Sequence, residues 1–201
     1  MTEVILVTED QLSLMVAKCL LHEIRGSFSI RDIVADGFGY IKKRINSWLD
    51  ISEFAPIFVL TDLDNQVCPI VLINNWLGDR RRNERLLFRV AVHEIESWLL
   101  ADHQFMRGLI GKRGKLPREP DSLNNPKEKL LKLVSDYARR DIRDDIVRVE
   151  NSSLKSGVNY NDRLTKCVSE NWNPERAAEL SPSLSKARLR MREWAENYLI
   201  C

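Results

Sequence analysis

The sequence predicts an α/β protein with a mostly parallel sheet flanked by helices and a helical C-terminal extension. Two observations carry this reading. Apolar runs of strand length ("EVILVTED", "FSIRDIVADG", "PIFVLTD" and "RLLFRVAV") alternate with segments of helical period as far as about residue 105. After Gly111 the chain turns rich in proline and glycine, and then reads as helix alone.

The first strand is expected at Val4 to Val7, which are all apolar and mostly β-branched. Thr8 and Gln11 have capping-box spacing before a helix through "QLSLMVAKCLLHEIRG", which should stop at Gly26. "FSIRDIVADG" alternates enough to form a second strand, and "FGYIKKRINSWLD" places Tyr40, Ile41, Ile45, Trp48 and Leu49 on one helical face. "PIFVLTD" is apolar without interruption, as strands covered on both faces are. "CPIVLINNWL" should be a helix with Pro69 tolerated in its first turn, followed by the strand "RLLFRVAV" and a helix or helix pair in "HEIESWLLADHQFMRGLIG". "GKRGKLPREPDSLNNP" reads as loop, and helices are expected in "PKEKLLKLVSDYARR", "NDRLTKCVSENW" and "SLSKARLRMREWAENYL". The expected division is an α/β core over residues 1–110 and a helical extension packed on it over 111–201.

The composition narrows the function classes. In 201 residues, 44% are hydrophobic and 30% charged, with a net charge of +2, so any nucleic-acid contact must come from local patches. Cys19, Cys68, Cys167 and Cys201 form no C-x-x-C pair, and the N-terminus does not read as a signal peptide. No uncharged apolar run approaches the roughly 18–20 residues needed to span a bilayer. The expectation is a cytoplasmic protein with reduced thiols and no membrane segment.

Acids follow the strands where a parallel sheet binds its ligands. Glu9 and Asp10 follow the first, Asp62 and Asp64 the third, and Glu94 and Glu96 lie just beyond the fourth. Carboxylates brought together repel unless a cation neutralises them, and hard oxygen ligands suit Mg²⁺ or Mn²⁺. Each acid also has an ordinary reading: Glu9 and Asp10 as first-turn acids, Asp62 as a helix cap, Asp64 as a turn residue. Glu94 and Glu96 point about 200° apart on a helix. That geometry sets Glu94 on the half-buried side with Ile95, Trp98 and Leu99 and leaves Glu96 to solvent.

A glutamate after the first strand and an Asp-x-Asp after the third resemble the Toprim arrangement of topoisomerases, primases and nucleases of the overcoming-lysogenization-defect type. "FVLTDLDNQVCP", "RVAVHEIESWLLAD", "NPKEKL" and "NYNDRLTKCVSENWNPERAAELSPSLSKARLRM" together resemble a bacterial Toprim-like family of unknown function, over most of the chain. The resemblance implies a Toprim-like sheet, with Glu9 as general acid/base, Asp62 and Asp64 as ligands of Mg or Mn, and Glu94 or Glu96 as a further carboxylate. It also implies a metal-dependent nuclease in bacterial defence or repair, acting on nucleic acid, DNA ahead of RNA, beside a separate ATPase. The alternative is a non-catalytic module of the same fold that binds a partner or a nucleotide. In one departure, Asp10 stands where many Toprim glutamates are followed by glycine.

Other readings fit less of the chain. A phosphoacceptor receiver would need a hydroxyl where "VAVHEIES" has acids, and "HEIES" lacks the second histidine of a zinc protease. No G-x-x-x-x-G-K-[ST] is present, and no tyrosine, Tyr160 included, stands out as a nucleophile. The basic candidates for nucleic acid are Lys112, Arg113 and Lys115 in the loop and Arg80 and Arg81 in "DRRRN".

Overall fold

The computed structural model describes residues 2–35, 38–80 and 83–200. They form two compact units, one of residues 1–92 with 186–201 and one of residues 93–185. The expected boundary at 110/111 falls inside the second unit, to which both helices of "HEIESWLLADHQFMRGLIG" belong.

In the first unit, strands β1 (Thr2–Thr8), β2 (Phe28–Val34), β3 (Ile57–Asp62) and β4 (Leu86–Ala91) make a sheet in the order β2-β1-β3-β4. Every pairing is parallel. Each connection carries a helix: α1 (Gln11–His22), α2 (Phe38–Ile51) and α3 (Pro69–Leu77). Alternate strand residues face opposite ways. Ile5, Val7, Ile57, Val59, Leu86, Phe88 and Val90 pack with Ile41, Ile45 and Trp48 of α2 and Leu72 and Trp76 of α3. Their neighbours Leu6, Phe58 and Leu60 are also almost wholly buried, which is why "PIFVLTD" shows no polar alternation.

Local chemistry sets the ends of these elements. The cap of α1 is Asp10, whose carboxylate accepts from Ser13 N–H at 2.7 Å, rather than the expected Thr8. Thr8 is still paired in β1 and its hydroxyl donates to the Asp10 carbonyl at 3.2 Å, so the cap falls two residues later. Arg31 and Asp32 are exposed on the edge strand β2 and blunt it against further pairing. Residues 186–200 rejoin this unit in helix α10 (Pro182–Tyr198). There the Arg188 guanidinium donates two bonds to Glu23 (2.8 and 2.6 Å), and Trp194 Nε1–H donates to the Arg85 carbonyl at 3.0 Å.

The second unit contains α4 (Glu96–Ala101), α5 (His103–Ile110), a 3-10 turn (Pro120–Ser122), α6 (Pro126–Tyr137), α7 (Arg140–Ile146), α8 (Tyr160–Asn171) and α9 (Pro174–Ala178). Pro69, Pro126, Pro174 and Pro182 each open a helix, where a missing N–H costs nothing. The expectation of helices alone is corrected by a hairpin, β5 (Val147–Glu150) with β6 (Ser153–Ser156). Its turn residues Asn151 and Ser152 both take positive φ, 48° and 60°. That suits a two-residue primed turn, for which glycine is the usual second residue. Among the described residues no helix is long and apolar enough to cross a membrane.

Candidate functional site

The strand order reverses at β1: the chain steps from β1 to β2 on one side, then returns to place β3 on the other. Open α/β sheets bind ligands at such a switch point, outside the carboxyl ends of the strands. Glu9 directly follows β1, and Asp62 closes β3. The last ladder pair between these strands is Thr8 with Leu60, so one step further sets Glu9 beside Thr61. The Thr61 hydroxyl and the Asp62 N–H (3.0 Å) both donate to Glu9 Oε1.

Asp62 is half-buried and Asp64 exposed, either side of Leu63, which is 3% exposed and donates its N–H to the Ala91 carbonyl at 2.9 Å. Leu63 thus anchors the loop while its acidic neighbours stay reachable from solvent. Asp64 takes a left-handed φ of 48°, which aspartate tolerates better than most residues. Burial pushes the Glu9 carboxyl above its ordinary range; its two hydrogen bonds oppose this, and the negative charges of Asp64 and Asp10 add to it. An acid held this way exchanges protons nearer to neutral pH than a free glutamate does.

Among the described residues no group of three or more His, Cys, Asp or Glu side chains is gathered closely enough to cage a metal ion. The charges of Asp64 and Asp10 reach the Glu9 carboxylate, and Asp62 meets it through its backbone N–H. Such a set fits Mg²⁺ or Mn²⁺, which is often bound through one or two carboxylates with waters and substrate phosphate oxygens as the rest.

Glu94 and Glu96 lie in the second unit; Glu94 is half-buried as expected, whereas Glu96, expected in solvent, is not exposed. Helix α4 starts only at Glu96, so Glu94 precedes the helix, and the helical geometry assumed for it does not apply. Glu96 is the buried one, 3% exposed. It accepts from the Tyr160 hydroxyl at 2.6 Å and pairs with Lys127 Nζ at 3.7 Å. Burial raises the Glu96 carboxyl above its ordinary range, against the pull of the Lys127 charge and the Tyr160 bond. Glu94 accepts from the Lys127 N–H at 2.7 Å in the first turn of α6, and the Lys127 ammonium sits 4.8 Å from the centre of the Tyr160 ring. Lys127 escaped the sequence reading because only the fold joins "NPKEKL" to "HEIES".

The basic candidates separate too. Arg80 is engaged, with Nη2 on Asp50 at 2.5 Å and Nη1 on the Asn46 carbonyl at 3.3 Å. Arg81 lies outside the described residues. Lys112, Arg113 and Lys115 are exposed on a loop of the second unit. Arg107 Nη1 holds that loop through the Arg113 (2.6 Å) and Gly114 (3.0 Å) carbonyls. Gly114 has a φ of 85°, and a Cβ there would meet the Tyr137 ring at 2.8 Å.

Thr61 also went unnoticed in the sequence, although it is a hydroxyl closing an otherwise apolar strand directly before the first aspartate. Comparisons with models of known families, with curated proteins and with solved structures found no match, so the functional reading rests on the site's own geometry and on the resemblance described above.

Proposed function

We propose that the chain is a Mg²⁺- or Mn²⁺-dependent phosphodiesterase of Toprim type that cleaves nucleic acid, DNA ahead of RNA. The observation that carries the reading is the meeting of Glu9 with Thr61 and Asp62 at the β1/β3 switch point, with the charge of Asp64 near enough to act on Glu9. Asp62 and Asp64 would hold the cation, which when bound polarises a phosphate oxygen and makes a bound water more acidic. Glu9, held by Oε1, exchanges the proton during water attack. The exposed loop of Lys112, Arg113 and Lys115 adds backbone attraction. Glu96, enclosed with Tyr160 and Lys127, and Glu94, on the Lys127 N–H, serve the order of the second unit in this reading. On the resemblance, the protein works in the cytoplasm, in defence or repair, with a separate ATPase.

One observation favours a second reading. The bonds from Thr61 and Asp62 to Glu9 also brace β1 against β3, as a non-catalytic module that binds a partner or nucleotide at this crevice would need. A cleavage panel separates the two: supercoiled, linear and single-stranded DNA and RNA, with Mg²⁺ or Mn²⁺, for wild type and Asp62→Asn/Asp64→Asn. Metal-dependent cutting that disappears in the double variant supports the nuclease. A wild type that binds Mn²⁺ but cuts nothing supports the module.

A further inference from the structure

Both donors to Glu9 come from β3 and converge on the same oxygen, Oε1; neither reaches Oε2. Thr61 is 1% exposed, so its hydroxyl is not a solvent group that happens to lie near. The other buried threonine of the crevice, Thr8, donates instead to the Asp10 carbonyl at 3.2 Å. A glutamate side chain has three rotatable bonds, and two donors on one oxygen fix which face of the carboxylate looks outward. We propose that Thr61 is the positioning residue of the site: its hydroxyl holds Glu9 by Oε1 so that Oε2 is the oxygen that takes the proton from the water attacking the phosphodiester.

The inference rests on the phosphodiesterase reading, and it assigns the two oxygens of one carboxylate different tasks. Oε1 belongs to the scaffold, through a β3 hydroxyl and a β3 amide, and Oε2 to the attacking water. It also accounts for a hydroxyl at the end of an apolar strand, beside Val90 of β4 in the ladder, where valine would fit the strand as well. Asp62 supplies its bond through the backbone, so no side-chain substitution removes it. The Thr61 hydroxyl is therefore the part of the cradle that mutation can address.

The test compares wild type, Thr61→Val and Thr61→Ser by kcat and KM on the DNA that wild type cuts, together with Mn²⁺ affinity and thermal midpoint. Valine keeps the β-branched shape and loses the hydroxyl; serine keeps the hydroxyl. The inference expects Thr61→Val to lower kcat by about 100-fold, the scale of a misplaced catalytic group, with KM and Mn²⁺ affinity within threefold of wild type. Thr61→Ser should recover to within about fivefold of wild type. Equal kcat in wild type and Thr61→Val overturns the inference and leaves the nuclease standing. Equal losses in both variants, tracking a lowered thermal midpoint, overturn it in favour of packing. A wild type that cuts no substrate overturns the phosphodiesterase reading and this inference with it.

Discussion

Replacing Asp102 by asparagine should destabilise the second unit by about 3 kcal/mol, because this buried carboxylate ties four donors together. Asp102 is fully buried. One oxygen accepts from the Phe105 N–H at 3.1 Å, which caps α5, and from Arg176 Nε at 3.0 Å. The other accepts from the Asn173 N–H at 2.9 Å and Arg176 Nη2 at 2.7 Å. Asparagine keeps one acceptor, turns an NH₂ toward donors and leaves the guanidinium without its counter-charge. Breaking a buried pair costs about 3–5 kcal/mol and losing a cap about 1 kcal/mol. The low end applies because the Arg176 side chain is 34% exposed and can recover part of its solvation. At about 2–4 °C per kcal/mol in a chain of this size, the midpoint should fall by roughly 6–12 °C. Urea and thermal unfolding by tryptophan fluorescence suit the assay, since Trp172 Nε1–H donates to the Trp98 carbonyl at 3.3 Å within the same unit. Arg176→Ala should cost less, and the double variant less than the sum of the singles. A cost below 1 kcal/mol for Asp102→Asn, or strict additivity with Arg176→Ala, would refute the argument.

Glu96 gives a pH signature. Its carboxyl is raised in the folded protein by burial, so folding favours the protonated form and the ionised form opposes it. The sign follows: this group's contribution is fully present below the ordinary value of 4.5 and is lost as pH rises through the raised folded value. Unfolding in EDTA across that window should show a fall with rising pH that is shallower in Glu96→Gln. Tyr160→Phe removes a 2.6 Å bond to this buried carboxylate and should cost about 1–3 kcal/mol, while cleavage stays within a few-fold of wild type. Loss of cleavage without loss of stability would make Tyr160 a chemical participant. Replacing Lys112, Arg113 and Lys115 together by alanine should flatten the salt dependence of DNA binding by up to about 2.7 in slope if each meets one phosphate. Arg80→Ala, with its guanidinium engaged by Asp50 and Asn46, should leave that slope unchanged.

The α/β layout was legible because its signals are local. Continuous apolar runs such as Ile57–Leu60, buried on both faces, separate cleanly from helical periods, and the acids after them mark the strand ends. The strand order needed the fold, and with it the reason Glu9 meets β3 rather than β2. Glu94 is half-buried as its sequence reading expects, but Glu96 is buried rather than solvated, because helical spacing does not hold across a segment whose helix begins two residues after Glu94. The hairpin β5–β6 was missed because serine replaces the glycine of a primed turn and Val149, 72% exposed, belongs to no apolar face. Thr61 and Lys127 take their importance from neighbours 52 and 31 residues away in sequence, Glu9 and Glu96, which no periodicity reports.

The measurement that bears most directly on the account is the turnover of Glu9→Gln on the best DNA substrate at saturating Mn²⁺. Glutamine keeps an acceptor for the Thr61 and Asp62 bonds but can neither take nor give the proton. The account expects kcat to fall by about 10²–10⁴-fold with Mn²⁺ affinity and fold retained. A Glu9→Gln protein that cuts DNA as fast as wild type would show that the carboxylate at the β1/β3 crevice only braces two strands, and the catalytic role proposed for it would be withdrawn.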